Sequence, residues 1–203
     1  SSAIAAAGRK RLSQSAVLPV VKIVIDTCVL YPTVMREMVL GAARARHFTP
    51  LWSARILEEW ARAAIKLGVD GEAQARAEIA LLRAEWPQAE QPAAPGIEAR
   101  LWLPDAGDLH VLAVAVGSSA DAIMTLNAKD FPRQILTEEG LERVDPDGFL
   151  HRLWQADPDG ISQVAERVLA EASRLSGKQW QMRPLLTKAR LPRLAQALTA
   201  SPL

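Results

Sequence analysis

The chain lacks several features that define common protein classes. Cys28 is the single cysteine in 203 residues, which excludes an intramolecular disulfide framework and a zinc site built from several cysteines. A lone thiol is typical of a reducing compartment, so we expect a cytoplasmic protein. Apolar runs such as residues 109–116 are far shorter than the roughly 18 residues that a membrane span needs. The chain also has no Gly-rich phosphate loop and no Gly-x-Ser-x-Gly nucleophile elbow.

An excess of charge of one sign is also missing. Lys and Arg number 24 against 23 Asp and Glu, a balance of +1, whereas proteins that grip polyanions usually carry excess positive charge. The near-neutral net charge combines two regions of opposite charge. Residues 1–150 hold 16 basic and 19 acidic residues, and residues 151–203 hold eight basic and four acidic residues. The sequence therefore combines an acidic body with a basic C-terminal region.

The pattern along the chain predicts three regions. Residues 1–22 are expected to form a flexible basic arm and the start of the first strand. Residues 23–150 alternate apolar strands with helical patterns, which predicts a largely parallel α/β sheet. Residues 151–203 are expected to form a helical extension. With 49% hydrophobic residues the chain can bury a core. Strands are predicted at 20–25, 48–52, 99–103, 122–126 and 141–144, with a loop at 87–96.

Acidic residues occur where the predicted strands and helices begin or end. Asp26 directly follows the first strand, and Asp130 lies shortly after the strand at 122–126. Asp105 and Asp108 precede a predicted helix, and Glu58-Glu59 lie in another. Ligands of parallel sheets bind beyond the carboxyl ends of the strands. Gathered carboxylates repel one another unless a cation neutralises them, and oxygen-only ligands suit Mg²⁺ or Mn²⁺.

Each candidate also has a purely structural interpretation. Asp108 is a natural helix N-cap, Asp130 can be a turn residue, and Glu58 fits a solvated helix face. Asp26 is harder to explain in this way, because it ends a buried apolar strand. The histidines His47, His110 and His151 show no metal-binding spacing and are interpreted as structural or surface residues. Cys28 has no motif that points to a base and is expected to be packed.

Four segments in order resemble the PIN domain family, and more narrowly the VapC-type toxin ribonucleases in the branch with a C-terminal helical extension. The fold that this resemblance implies is a three-layer α/β/α domain with a central, mostly parallel sheet. The segments are IDTCVLYP (25–32), WSARILEEW (52–60), PDAGDLHVLA (104–113) and ADAIMTLNAKDFP (120–132).

The resemblance implies a metal-dependent endoribonuclease that hydrolyses RNA phosphodiester bonds with Mg²⁺ or Mn²⁺. Glu59 matches the family's helix glutamate better than Glu58 does, and Gly107 stands where similar sequences often have a further Asp. Asn127 and Asp130 compete for the last acidic position; we favour Asp130, with Asn127 orienting a water. The implied metal ligands and catalytic residues are Asp26, Glu59, Asp108 and Asp130, with Asn127 as a further metal-site residue.

The resemblance also implies partners: an RNA substrate, a cognate antitoxin and, as in many similar proteins, a homodimer. Basic residues are the candidates for contacts to RNA phosphates or to an acidic antitoxin segment, although a solvated helical surface explains those of the C-terminal region equally well. The candidates are Lys129, Lys178, Arg183, Lys188, Arg190 and Arg193.

Two alternatives remain open at the level of the sequence. The first is a PIN-like module that binds RNA or a protein partner without cutting. The second is a receiver-like signalling domain, which also gathers acidic residues and a lysine, here Lys129, at the strand ends of a parallel sheet.

Overall fold

Five short strands form one sheet in the computed structural model, which describes residues 20–200. All neighbouring strands pair in parallel, in the order β3-β2-β1-β4-β5. The strands are β1 (Lys22–Ile25), β2 (Thr49–Ser53), β3 (Glu90–Gln91), β4 (Ala122–Met124) and β5 (Glu142–Val144). The predicted parallel α/β architecture is confirmed.

Helices connect the strands and form the C-terminal region. Up to β5 they are α1 (Thr27–Leu30), α2 (Thr33–Arg44), α3 (Ala54–Ala63), α4 (Gly71–Glu85), α5 (Pro95–Glu98), α6 (Leu109–Gly117) and α7 (Arg133–Glu138). After β5 they are α8 (Pro146–Ala156), α9 (Pro158–Ser176), α10 (Met182–Lys188) and α11 (Pro192–Thr199). Short 3-10 turns at Ala64–Leu67 and Ala106–Asp108 complete the set. Among residues 20–200, no helix has the length and apolar character of a membrane span.

The strand order determines which face each helix covers. The connections from β1 to β2 and from β2 to β3 run in one direction across the sheet, and those from β3 to β4 and from β4 to β5 run in the other. Parallel crossovers are right-handed, so α2 lies on one face and α6 on the opposite face. The central strand β1 is thereby covered on both sides, and Ile23, Val24 and Ile25 are fully buried.

The segment from Pro87 to Leu103 differs from the sequence prediction. No strand forms at 99–103, because the amides of Arg100 and Leu101 donate to the carbonyls of Ile97 and Glu98 and so continue the helical turn of α5. The edge strand is instead β3, within the stretch predicted as a loop. Its two residues are too few to show an alternating pattern.

The C-terminal helices pack against the α/β body. Helices α8 and α9 lie against α2, where a Cβ atom at Gly41 would overlap Val164. The buried carboxylate of Asp147 accepts hydrogen bonds of 3.0 Å from the amides of Arg193 and Leu194 at the start of α11. The division predicted at residue 150 falls inside α8, and the predicted basic arm up to residue 19 lies outside the described residues.

Candidate metal centre

The ends of β1 and β4 meet where the direction of the chain's crossovers reverses. Such a topological switch point is the usual ligand-binding crevice of an open parallel sheet. Asp26 follows β1 and Thr125 follows β4, and the backbone amide of Asp26 donates to the carbonyl of Met124 at 3.0 Å. The fold therefore places the first predicted site residue in this crevice.

Three hydrogen bonds fix the carboxylate of Asp26. Its Oδ1 accepts from the amide of Thr27 at 2.8 Å, and its Oδ2 accepts from the hydroxyl of Thr125 at 2.8 Å and from the thiol of Cys28 at 3.3 Å. Burial raises the pKa of Asp26, these hydrogen bonds oppose the rise, and the charge of Glu59 adds to it. The side chain is therefore held in one orientation in a setting that disfavours an isolated negative charge.

Cys28 belongs to the same network as a donor. Its Sγ also accepts from the amide of Leu126 at 3.4 Å. Burial, followed by the charge of Asp26, raises the pKa of Cys28 to about 12. The thiol stays protonated at neutral pH, which makes it a poor nucleophile.

Three further carboxylates converge beside this network. One oxygen each from Asp105, Asp108 and Asp130 lies within 4.8 Å of the other two. Asp105 caps the 3-10 turn before α6, with its Oδ1 accepting from the amide of Gly107 at 2.8 Å. Asp108 occupies the N-cap position of α6, but its side chain makes no capping hydrogen bond. Its carboxylate is therefore available for another role.

Electrostatic repulsion at Asp108 links the carboxylates into one site. Its pKa is raised to about 6, first by partial burial and then by the charges of Asp26, Asp105, Asp130 and Glu59. The repulsion connects all four predicted acidic ligands with Asp105. Oxygen donors with uncompensated negative charge are the ligand set that suits Mg²⁺ or Mn²⁺.

Glu59, rather than Glu58, faces this site. The Oε2 of Glu59 accepts from the hydroxyl of Thr27 at 3.4 Å, and its Oε1 lies 2.7 Å from Nε2 of His110. Glu58 instead pairs with Arg76 at 2.8 Å and with Arg62 at 3.3 Å, and these partners lower its pKa to about 2. The Glu58 carboxylate is thus engaged on the outer surface of α3.

The turn after β4 carries Asn127, Lys129 and Asp130. The amide of Asn127 donates to the Thr125 hydroxyl at 3.0 Å, and the amide of Asp130 donates to the Asn127 carbonyl at 3.1 Å. Arg143 on β5 braces the same turn by donating to the carbonyls of Ala128 and Phe131. The side chains of Asn127 and Lys129 are exposed.

The predicted basic residues of the C-terminal region lie on other elements. Helices α10 and α11 pack mainly against each other and against α8 and α9. The ammonium groups of Lys178 and Lys188 lie 5.9 and 5.2 Å from the centre of the Trp180 ring. All five side chains are exposed: Lys178, Arg183, Lys188, Arg190 and Arg193.

Sequence reasoning did not assign three residues of the site. Asp105 was a candidate from its position before a helix, but it was not among the predicted ligands. Thr125 directly follows β4, as Asp26 follows β1, but the predicted strand at 122–126 included it. His110 was interpreted as structural or surface, and its contact with Glu59 on another helix has no signature in the sequence.

The protein therefore has a parallel α/β fold with a cluster of carboxylates at the topological switch point, the kind of ligand set that binds divalent cations. The family model for the PIN domain, PIN_3, matches residues 22–129, just over half of the chain, and the chain belongs to this family. PIN domains are generally nucleases that bind divalent metals, which assigns a nuclease-type function. No curated protein and no solved structure gives a significant match.

Proposed function

We propose that the protein is a metal-dependent endoribonuclease of the VapC toxin type, which hydrolyses RNA phosphodiester bonds with Mg²⁺ or Mn²⁺. The observation that carries the proposal is the convergence of Asp105, Asp108 and Asp130, one oxygen of each lying within 4.8 Å of the other two, and the raised pKa of Asp108, caused by partial burial and by neighbouring carboxylates, agrees with it. A carboxylate cluster with this much repulsion is a costly arrangement in a protein that binds no cation.

The residues divide into metal ligands and groups that orient them. Asp108, Asp130 and Asp105 are the ligands favoured by their mutual distances, and Asp26 and Glu59 face the same space. A bound ion supplies activation of a water and stabilisation of the charge that grows on the scissile phosphate. Thr125 and the amide of Thr27 hold Asp26, and the hydroxyl of Thr27 contacts Glu59. Asn127 is proposed to orient a water.

The basic residues are proposed to serve binding rather than chemistry. Lys129 is exposed one residue before Asp130, and it is proposed to contact a phosphate next to the scissile bond. The C-terminal region, residues 151–203, contains eight basic and four acidic residues. Its exposed basic residues are proposed to contact RNA phosphates or an acidic antitoxin segment. A cognate antitoxin and a homodimer belong to the same proposal.

The two alternative functions left open by the sequence fit the structure to different degrees. A receiver-like domain has the strand order 2-1-3-4-5, whereas this sheet has the order 3-2-1-4-5, and the chain belongs to the PIN family. A module that binds RNA without cutting it is distinguished from the proposed nuclease only by an activity measurement.

The direct test is cleavage of a structured RNA by the full chain with Mn²⁺, with and without EDTA. We expect cleavage that EDTA abolishes. Asp26→Asn should lower the rate by more than the ~100-fold that loss of an outer metal-site partner typically causes. Asp70→Asn, a change of the same type at an exposed position before α4, should leave the rate unchanged. Wild-type RNA binding without cleavage would support the binding module, and cleavage that survives EDTA would refute the metal site.

A further inference from the structure

An exposed tryptophan lies three residues before the acidic cluster. The side chain of Trp102 is 67% exposed, whereas the other five tryptophans of the chain are buried or half-buried. Among residues 20–200, the Trp102 ring makes no stacking contact with another aromatic ring and no cation–π contact. By contrast, the guanidinium of Arg36 lies 4.5 Å from the centre of the Trp60 ring. Much of the Trp102 ring is therefore in contact with solvent.

The residues around Trp102 fix its exposed position. Leu103 is buried in the core, and Leu101 is half-buried against it. The backbone is thus anchored on both sides of the tryptophan. The guanidinium of Arg100 also donates to both carboxylate oxygens of Glu139, at 2.8 and 3.1 Å. A ring on an anchored backbone loses little conformational freedom when it binds a ligand.

Trp102 is close to the acidic cluster along the chain. Its Cα atom lies at most about 11 Å from the Cα atom of Asp105, because three residues of fully extended chain span no more than this. The carboxylate of Asp105 belongs to the group of oxygens formed with Asp108 and Asp130. Trp102 is therefore within the length of a few nucleotides of a phosphate bound at this cluster.

Basic side chains surround the turn that carries Asp130. Lys129 and Arg133 are exposed on either side of Asp130 in the sequence. Arg143 donates to backbone carbonyls of this turn, and its pKa is lowered by burial and then by the charge of Arg133. Among residues 20–200, none of these three cations forms a salt bridge. They are available to an anionic ligand.

An exposed aromatic ring together with unpaired cations is the combination that binds single-stranded nucleic acid. The cations hold the phosphate backbone, and unpaired bases stack on the ring. The ion pair of Arg100 with Glu139 joins the segment of Trp102 to the end of α7, the helix that begins at Arg133. The ring and the cations thus lie on neighbouring segments of the chain.

We propose that Trp102 is a stacking platform for one unpaired base of the RNA substrate and so positions a single strand, rather than a duplex, at the carboxylate cluster. The proposal rests on the proposed ribonuclease function and adds to it a substrate-positioning residue outside the metal site. Stacking tolerates every base, so Trp102 favours unpaired RNA without selecting a sequence.

The first experiment detects the stacked base without relying on cleavage. A short single-stranded RNA of random sequence is titrated into the full chain with Ca²⁺ in place of Mn²⁺, and tryptophan fluorescence is followed. A base stacked on an indole ring quenches its fluorescence. We expect more quenching in wild type than in Trp102→Phe, in which the other five tryptophans report all remaining changes. Equal quenching in the two proteins, or no binding by wild type, would overturn the proposal.

The second experiment compares affinities under the same conditions. Trp102→Ala should weaken binding to the single strand about 5- to 150-fold, the range expected for the loss of one base–aromatic stack. Trp102→Phe keeps a ring and should bind more tightly than Trp102→Ala. Leu81→Ala removes a side chain that is 72% exposed on α4 and is the control, with wild-type affinity expected.

The same RNA annealed to its complement is the matched ligand control. Its bases are stacked within the duplex, so Trp102→Ala should bind the duplex as wild type does. An equal loss of affinity for the single strand and the duplex would overturn the proposal.

Cleavage kinetics with Mn²⁺ separate positioning of the substrate from a structural effect on the cluster. Trp102→Ala should raise KM and leave kcat, the Mn²⁺ affinity and the melting temperature close to those of wild type. A loss of Mn²⁺ affinity would show that the substitution acts through Asp105 and would contradict the stacking role.

The outcomes separate the two proposals. If wild type cuts no RNA, the ribonuclease function fails, and the fluorescence titration still decides whether a base stacks on Trp102. If wild type cuts RNA and Trp102→Ala keeps the wild-type affinity and KM, the ribonuclease stands and the stacking role is refuted.

Discussion

The hydroxyl of Thr125 donates a 2.8 Å hydrogen bond to Oδ2 of Asp26 and thereby joins the residues that follow two neighbouring strands, β1 and β4. The same hydroxyl accepts from the amide of Asn127 at 3.0 Å. One buried side chain thus orients the Asp26 carboxylate and starts the turn that carries Asp130. Loss of this hydroxyl should disturb both acidic elements at once.

Thr125→Val removes the hydroxyl and preserves the shape of the side chain. We expect the rate of RNA cleavage to fall about 10- to 100-fold, as for outer partners of other metal sites. The free energy of unfolding should fall by about 1–3 kcal/mol, because the buried carboxylate of Asp26 and the partly buried amide of Asn127 each lose a partner. Thr137→Val, at an exposed position in α7, is the control and should change neither quantity. Unchanged cleavage by Thr125→Val would show that the hydroxyl does not orient the site.

Asp105 should contribute to metal affinity although the sequence did not predict it as a ligand. Its carboxylate lies in the group of oxygens formed with Asp108 and Asp130. We expect Asp105→Asn to weaken Mn²⁺ binding, measured by calorimetry, by at least about tenfold. Asp70→Asn should bind Mn²⁺ as wild type does. Wild-type affinity in Asp105→Asn would restrict the ligands to the four predicted residues.

Stability of the metal-free protein should depend on the protonation of Asp108. The pKa of this group is about 6 in the folded state, above its ordinary value of 3.8. Between these values the folded state binds more protons than the unfolded chain, so this contribution to stability is complete below pH 3.8 and is lost as the pH rises through about 6. In EDTA, Asp108→Asn should therefore melt at a higher temperature than wild type at pH 7.5, with a smaller difference at pH 5.

Addition of Mn²⁺ provides the complementary measurement. The ion binds the deprotonated carboxylates, so it should raise the melting temperature of wild type more at pH 7.5 than at pH 5. Asp108→Asn should show a smaller rise at pH 7.5. A melting temperature of Asp108→Asn below that of wild type in EDTA at pH 7.5 would contradict the repulsion that links these carboxylates.

The basic C-terminal region should contribute to RNA affinity through its arginine side chains. Replacing both Arg183 and Arg190 with Gln should weaken binding to single-stranded RNA. The slope of log affinity against log salt should become shallower by about 0.7 for each phosphate that the variant no longer neutralises. The same double change at Arg46 and Arg83, which are exposed after α2 and on α4, is the control. Equal slopes for the two double variants would assign Arg183 and Arg190 to a solvated surface.

The parallel α/β fold could be predicted from the sequence, because the local residue patterns for strands and helices agree with one another. The β-branched run before Asp26 forms the buried central strand, and the hydroxyl of Ser53 caps α3 by accepting from the amide of Ile56. The strand predicted at 99–103 was wrong. The apolar residues of this segment match a strand pattern, but its backbone amides complete the helical turn of α5. Strand β3 has two residues and no pattern of its own.

The acidic site was predictable in part. Asp26, Glu59, Asp108 and Asp130 lie at element ends or in a motif that resembles the PIN family, and repulsion at Asp108 links them. The contact of His110 with Glu59 depends on how α3 and α6 approach across the sheet, which no local pattern encodes. Likewise, the pairing of Glu58 with Arg76 on α4, which leaves Glu59 as the glutamate beside the acidic site, depends on the packing of α3 against α4.

The proposed metal site is tested most directly by anomalous diffraction from a crystal of the full chain soaked in MnCl₂ at pH 7.5. We predict a manganese peak within ligand distance of Asp108 and Asp130, and the loss of that peak in crystals of Asp108→Asn. Ordered density for these carboxylates with no manganese peak among Asp26, Glu59, Asp105, Asp108 and Asp130 would contradict the proposed site.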